Sequence, residues 1–218
     1  MSAISTSFRR RQVFVAVDIE RTGPFLVRNK TNSIGFFVGN DRGDPIIQKK
    51  VNIEVQWPDG KTLGDFEPTC WHEFWAKQPE EVLNGCKKFA IPIDSAFVEV
   101  AQFLQDLERA FPEDCFEIIF LTDNPSFDIA NIDFGLEMYA KRKPMRFSST
   151  SGEYRSIIVV DDLLFFMPDE SQESFWLNVS SKMKNRLAHD ALSDAEKIYR
   201  TYIEAVERKQ VKGNCSEE

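Results

Sequence analysis

At 218 residues, with hydrophobic residues at 42% and charged residues at 28%, the chain has ordinary globular usage and length for one large core, which excludes wholesale disorder. A formal net charge of -8 excludes nucleic-acid binding by bulk positive charge, but not an enzyme with a local basic rim around an acidic cleft. The longest apolar stretches, such as 156–167, are short or broken by acids, whereas a membrane helix needs roughly 20 apolar residues, so no transmembrane helix is expected.

In chain order, residues 1–12 read as a loose basic leader ending in three arginines, without the apolar region or cleavage pattern of a secretory signal. Residues 13–18 (VFVAVD), 33–40 and 49–60 read as three strands, each followed by turn-forming residues, and together suggest an antiparallel meander. Residues 69–85 predict a short helix with an aromatic face, broken at Pro79, in which Trp71, Phe74 and Trp75 belong to the core and His72 is packed or hydrogen-bonded. Over 94–111 the spacing of Phe97, Val100, Ala101, Leu104, Leu107 and Phe111 predicts a helix with one buried face, ended by Pro112.

Residues 116–123 read as a strand, and 126–140 as a helix that starts directly after it, with Ser126 as N-cap and a stripe of Phe127, Ala130, Phe134 and Met138. Residues 144–154 read as loop with a short strand at 145–147, 154–166 as a helix or a buried strand with the helix preferred, and 168–179 as a polar linker. A helix is expected over 187–209, with Asp194 as an internal acid, before a fraying tail. The expectation is a mixed α/β fold in one domain, 13–209, between the leader and a flexible 210–218 tail. Four cysteines without a Cys-x-x-Cys pair argue against a zinc site and a disulfide framework, and fit an intracellular chain, cytoplasmic or nuclear.

Three groups of residues carry chemistry. In a strand, residues two apart point the same way, so Asp18 and Glu20 share a face. Two carboxylates on one face repel, and a hard divalent cation with its preference for oxygen makes such a pair favourable; alone, the pair also fits a solvated strand end. Thr22-Gly23-Pro24 then turns the chain away from the acids. In TDNPSFD, Asp128 falls in the first turn of a helix, where the dipole favours a carboxylate. In HDALSDA, His189 and Asp194 are five residues apart, about 140° around a helix at ~100° per residue, with His189 at its start beside the acids.

Taken together, Asp-x-Glu-x-Thr-Gly-Pro at 18–24, Asn-x-x-Phe-Asp at 124–128 and His-x-Ala-x-x-Asp at 189–194 resemble, in this order, the three motifs of the DEDDh family of 3′→5′ exonucleases, over about 13–209. The resemblance implies a ribonuclease H-like fold, with a mixed central sheet whose first three strands are antiparallel, flanked by helices. It implies that Asp18, Glu20, Asp128 and Asp194 hold two Mg²⁺ or Mn²⁺ ions and that His189 is the general base. The implied substrate is the 3′ end of DNA or RNA, single-stranded or as an overhang, hydrolysed to nucleoside 5′-monophosphates. Thr22, Pro24, Phe25 and Asn124 are expected beside the terminal nucleotide, and Lys141, Arg142, Lys143 and Arg146 form a basic run that could meet phosphates. Stand-alone members of the family are frequently dimers, so a homodimer is a further expectation. An inactive nucleic-acid-binding module of the same fold, or a small-molecule phosphodiesterase, is the alternative function.

Overall fold

The computed structural model describes residues 10–145, 155–165, 171–183 and 187–215, with side chains as far as Lys209. Strand β1 (Arg11–Arg21) pairs antiparallel with β2 (Thr31–Asn40), which pairs antiparallel with β3 (Pro45–Asn52). Helix α1 (Pro68–Glu73), a 3-10 turn at Trp75–Lys77, α2 (Glu80–Lys87) and α3 (Ile93–Ala110) then lead to β4 (Phe116–Thr122), parallel to β1. Next come α4 (Asp128–Ala140), β5 (Ile157–Val159) parallel to β4, α5 (Val160–Phe165), α6 (Gln172–Lys182) and α7 (Ala191–Cys215). The strand order β3-β2-β1-β4-β5 gives the expected mixed sheet with three antiparallel first strands.

Strand β1 is central and buried on both faces, so its sequence is a continuous apolar run rather than an alternating one. Val13, Val15, Val17 and Ile19 pack with Phe97, Val100, Leu104 and Leu107 of α3 and with Ile129, Ile132 and Leu136 of α4. Phe14 and Ala16 face the other way, onto Ala195, Ile198 and Tyr199 of α7. Asp18 and Glu20 continue that second, α7-facing row. Gly35, opposite Asp18 in the β1–β2 register, is required here: a Cβ at this position would lie 2.2 Å from the Ala191 carbonyl oxygen. The missing side chain lets the first turn of α7 lie against the sheet beside the acids.

Several expectations are corrected. Residues 157–165 are neither one helix nor one strand: three β-branched residues extend the sheet, and α5 begins at Val160. The supposed polar linker contains α6, started by Ser171, whose hydroxyl accepts the Ser174 N–H at 3.2 Å, and held by Phe175 and Val179 one turn apart in the core. The buried face of α4 is Ile129, Ile132 and Leu136 with Asn131 and Gly135, not the stripe ending at Met138, which is exposed; an apolar-rich helix offers more than one stripe at that spacing. Ser126 does not cap this helix, which begins at Asp128 after Phe127 without a side-chain cap; Asn124 orders the turn before it, its carbonyl accepting the Asp128 N–H at 2.8 Å and its side-chain oxygen the Phe127 N–H at 3.2 Å. The third strand starts earlier than expected and ends at Asn52. Helix α7 starts at Ala191 rather than 187 and runs on to Cys215.

The expected strand at 145–147 and Arg146 lie outside the described residues apart from Met145, which sits in a turn. Of the basic run, Arg142 donates to the Ala101 carbonyl at 3.2 Å and pairs with Glu108 at 3.1 Å, so its guanidinium ties α4 to α3 instead of facing a phosphate. His72 is exposed rather than packed, whereas Trp75 is fully buried, as read from the sequence. Among the described residues no helix is long and apolar enough to cross a membrane.

Candidate active site

The acids meet where two parallel strands end side by side. Strands β1 and β4 are neighbours with Ala16 opposite Leu121, so Asp18 and Glu20 emerge beside Thr122 and Asp123. Strand β1 is also where the sheet divides, the chain going to β2 on one side and β4 on the other, the position at which open α/β sheets bind ligands. A cleft of about 360 Å³ opens there, lined by Asp18, Glu20, Asp123, Asn124, Phe127, Asp128, Trp176, His189, Asp194 and Lys197 among others.

Each acid is positioned by a different element. Asp128 stands at the start of α4 and is buried, with the Thr122 hydroxyl donating to its Oδ2 at 2.5 Å. Asp194 lies in the first turn of α7, where the helix dipole favours a carboxylate, and its Oδ2 accepts the backbone N–H of His189 at 2.8 Å. Asp190 starts α7 by accepting the Ser193 N–H and hydroxyl, each at 3.1 Å, and is ion-paired to Lys50 of β3. That pair fastens the start of α7 to the sheet.

His189 is therefore not on the helix but on the turn before it, in the left-handed region at φ +61. The expected 140° helical separation from Asp194 does not apply; the turn folds His189 back so that its own N–H reaches the Asp194 carboxylate. Its ring stands edge-on to Phe74, with centroids 4.7 Å apart. Phe74 is held there because the neighbouring Trp75 donates its indole N–H to the Arg21 carbonyl at 2.8 Å, at the end of β1. The aromatic segment read as core thus also braces the histidine.

Two groups of potential metal ligands result. In one, ligand atoms of Glu20, His189 and Asp194 lie within 4.8 Å of one another; in the other, those of Asp18, Asp123 and Asp128 do. Burial, then the charges of Glu20, Asp128, Asp194 and Asp123, hold the Asp18 carboxyl well above the ordinary carboxylate range. Burial and the charges of Asp194, Asp190 and Asp128 do the same to Glu20, against an opposing pull from Lys50. Burial pushes Asp128 up to about 8 despite the Thr122 hydrogen bond, and burial with the Asp161 charge raises Asp123. Asp18 Oδ2 is buried with no hydrogen-bond partner. Clustered carboxylates that are costly to ionise, an orphaned carboxylate oxygen and an oxygen-rich donor set fit a hard divalent cation such as Mg²⁺ or Mn²⁺.

All five residues of the sequence-derived constellation, Asp18, Glu20, Asp128, Asp194 and His189, line this cleft. Asn124 lines it too. Thr22 is buried, with its hydroxyl accepting the Lys30 N–H at 2.9 Å, and so shapes the 22–30 loop. Pro24 and Phe25 are exposed on that loop, with Arg28 over the Phe25 ring. Sequence reasoning missed Asp123, Trp176 and Lys197. The available signal for Asp123 was its position at the end of a strand, one residue before Asn124.

No family model matches the chain, and no curated protein matches it by sequence. Its fold does match solved structures. The zinc-bound complex of E. coli ExoI with ssDNA is similar over 92% of this chain and 41% of that one, with 13% identity and a TM-score of 0.60. S. pombe Pop2p, in a Mg²⁺- and Mn²⁺-bound form, is similar over 88% of this chain and 81% of that one, with 13% identity and a TM-score of 0.58. The nuclease domain of 3′hExo, a DEDDh family member bound to rAMP, is similar over 93% of this chain and 94% of that one, with 10% identity and a TM-score of 0.57. The chain spans less than half the length of ExoI. At such identities the likeness establishes the architecture, and the fold is ribonuclease H-like.

Proposed function

We propose that the chain is a metal-dependent 3′→5′ exonuclease that removes nucleoside 5′-monophosphates from the 3′ end of a nucleic acid, through a single domain spanning 13–209. The observation that carries this reading is the meeting of Asp18, Glu20, Asp128, Asp194 and His189, from three separate parts of the chain, in one cleft. Support comes from the nuclease folds it resembles, among them an ssDNA complex, a Mg²⁺- and Mn²⁺-bound form and an rAMP complex.

Asp18, Glu20 and Asp194 would hold one Mg²⁺ or Mn²⁺ ion, and Asp18 with Asp128 the other. When bound, two such ions stabilise negative charge on the attacking and leaving oxygens of a phosphodiester. His189, exposed at the lip of the cleft with its backbone tied to Asp194, takes the proton of the attacking water on a ring nitrogen and exchanges it with solvent. Water's oxygen ends on the released 5′-phosphate, the bond from phosphorus to the 3′ oxygen breaks, and that oxygen takes a proton from solvent to become the 3′-hydroxyl of the shortened strand. Asn124 in the cleft and Pro24 and Phe25 on the adjoining loop meet the terminal nucleotide, with Phe25 available for base stacking.

The test is digestion of 5′-labelled single- and double-stranded DNA and RNA with Mg²⁺ or Mn²⁺, with EDTA, and with Asp18→Ala. A ladder shortening from the 3′ end, lost in EDTA and in the variant, is expected. No shortening of any polymer overturns the reading; hydrolysis of small phosphodiesters alone would then assign the small-molecule activity.

A further inference from the structure

Asp123 has no part in the four-acid set, yet it lines the same cleft, and its carboxylate oxygen lies within 4.8 Å of ligand atoms of both Asp18 and Asp128. It occupies the bend after β4, between Thr122, which donates to Asp128, and Asn124, whose carbonyl accepts the Asp128 N–H; both flanking residues are fixed by hydrogen bonds. The side chain is half-buried and hydrogen-bonded to Asp128, and the charges acting on it, from Asp161 and Asp194, are of its own sign. The nearby Asp18 Oδ2 is buried and without a hydrogen-bond partner. A three-carboxylate cluster of this kind is made favourable by an ion among its oxygens.

We propose that Asp123 is itself a metal ligand, completing with Asp18 and Asp128 a three-carboxylate site on the β4 side of the cleft, which fills before nucleic acid binds. The inference rests on reading the cleft as a metal centre. Affinity for a hard divalent cation rises with the number of anionic ligands. Two carboxylates leave most of the ion's coordination to water or to a substrate phosphate; a third reduces that dependence.

The measurement is titration of the metal-free 218-residue chain with Mn²⁺, without nucleic acid, followed by calorimetry and by electron paramagnetic resonance. The wild type is expected to bind two ions. Asp123→Asn and Asp123→Ala, checked for folding by circular dichroism, should weaken one of them about ten-fold or more, the usual scale for disturbing a metal's ligand environment, and leave the other unchanged. Asp194→Asn should weaken the other. Two ions at wild-type affinity in both Asp123 variants overturn the assignment, as does a wild type that binds a single ion. A wild type that binds no Mn²⁺ overturns the metal-centre reading and this inference with it, which separates the two failures.

Discussion

At the scale of the residue, Asp18 is the acid on which the others converge: the charges of Glu20, Asp128, Asp194 and Asp123 all act on it, and one of its oxygens has no hydrogen-bond partner. Asp18→Ala should lower the initial rate of 3′ shortening about 10³-fold or more, since metal-borne charge stabilisation lowers the barrier by several kcal/mol. Wild-type turnover in that variant would remove Asp18 from the mechanism. His189→Ala should cost about 10²–10⁴-fold in rate, the range of general acid–base catalysis, with Mn²⁺ affinity unchanged; an equal loss of affinity would make the imidazole a ligand instead of a base. These residues were legible because their spacing carries meaning: two apart on a strand, first turn of a helix, a histidine before an acid. Asp123 had only its place at a strand end as a signal; its position beside Asp18 follows from the parallel pairing of β1 with β4.

Elements decide how those side chains are held. The start of α7 is fastened by the Lys50–Asp190 ion pair and by the absence of a side chain at Gly35, against which the Ala191 carbonyl packs. Gly35→Ala puts a methyl carbon 2.2 Å from that carbonyl oxygen, so α7 must move off β2. The expected cost is about 1–3 kcal/mol, read as a lower denaturation midpoint, together with a fall in activity as His189 and Asp194 are displaced from Glu20. An unchanged midpoint and rate would mean that the helix start adjusts freely. Neither the true start of α7 nor the division of 157–165 into β5 and α5 was visible in composition, because β-branched and apolar residues serve a buried strand and a buried helix alike.

The molecule as a whole carries an acidic cluster whose cost depends on pH. Asp128, pushed up to about 8 from an ordinary 3.8, keeps a proton in the folded state over a range in which the unfolded chain has lost it. Unfolding is therefore increasingly favoured as pH rises between those values, and Asp18, Glu20 and Asp123 shift in the same direction. In EDTA the melting temperature should fall from about pH 5 to about pH 8, with a shallower fall in Asp128→Asn. Saturating Mn²⁺ should raise the melting temperature, most at the alkaline end, because the ion takes the place of the protons. A melting temperature that climbs with pH in EDTA would contradict this electrostatic account.

By itself the sequence determined a mixed α/β class, since hydrophobic runs of strand and helix length specify elements, and it marked the five residues of the constellation through three motifs whose acids fall at element ends. The boundaries of α7, the turn that Asn124 orders before α4, the bracing of His189 by Phe74 and the arrival of Asp123 beside Asp18 were decided only in the tertiary structure. Local spacing encodes which face a side chain takes along its own strand or helix. Distances between elements far apart in the chain arise from packing, here from one absent side chain at Gly35 and from two strands that end side by side.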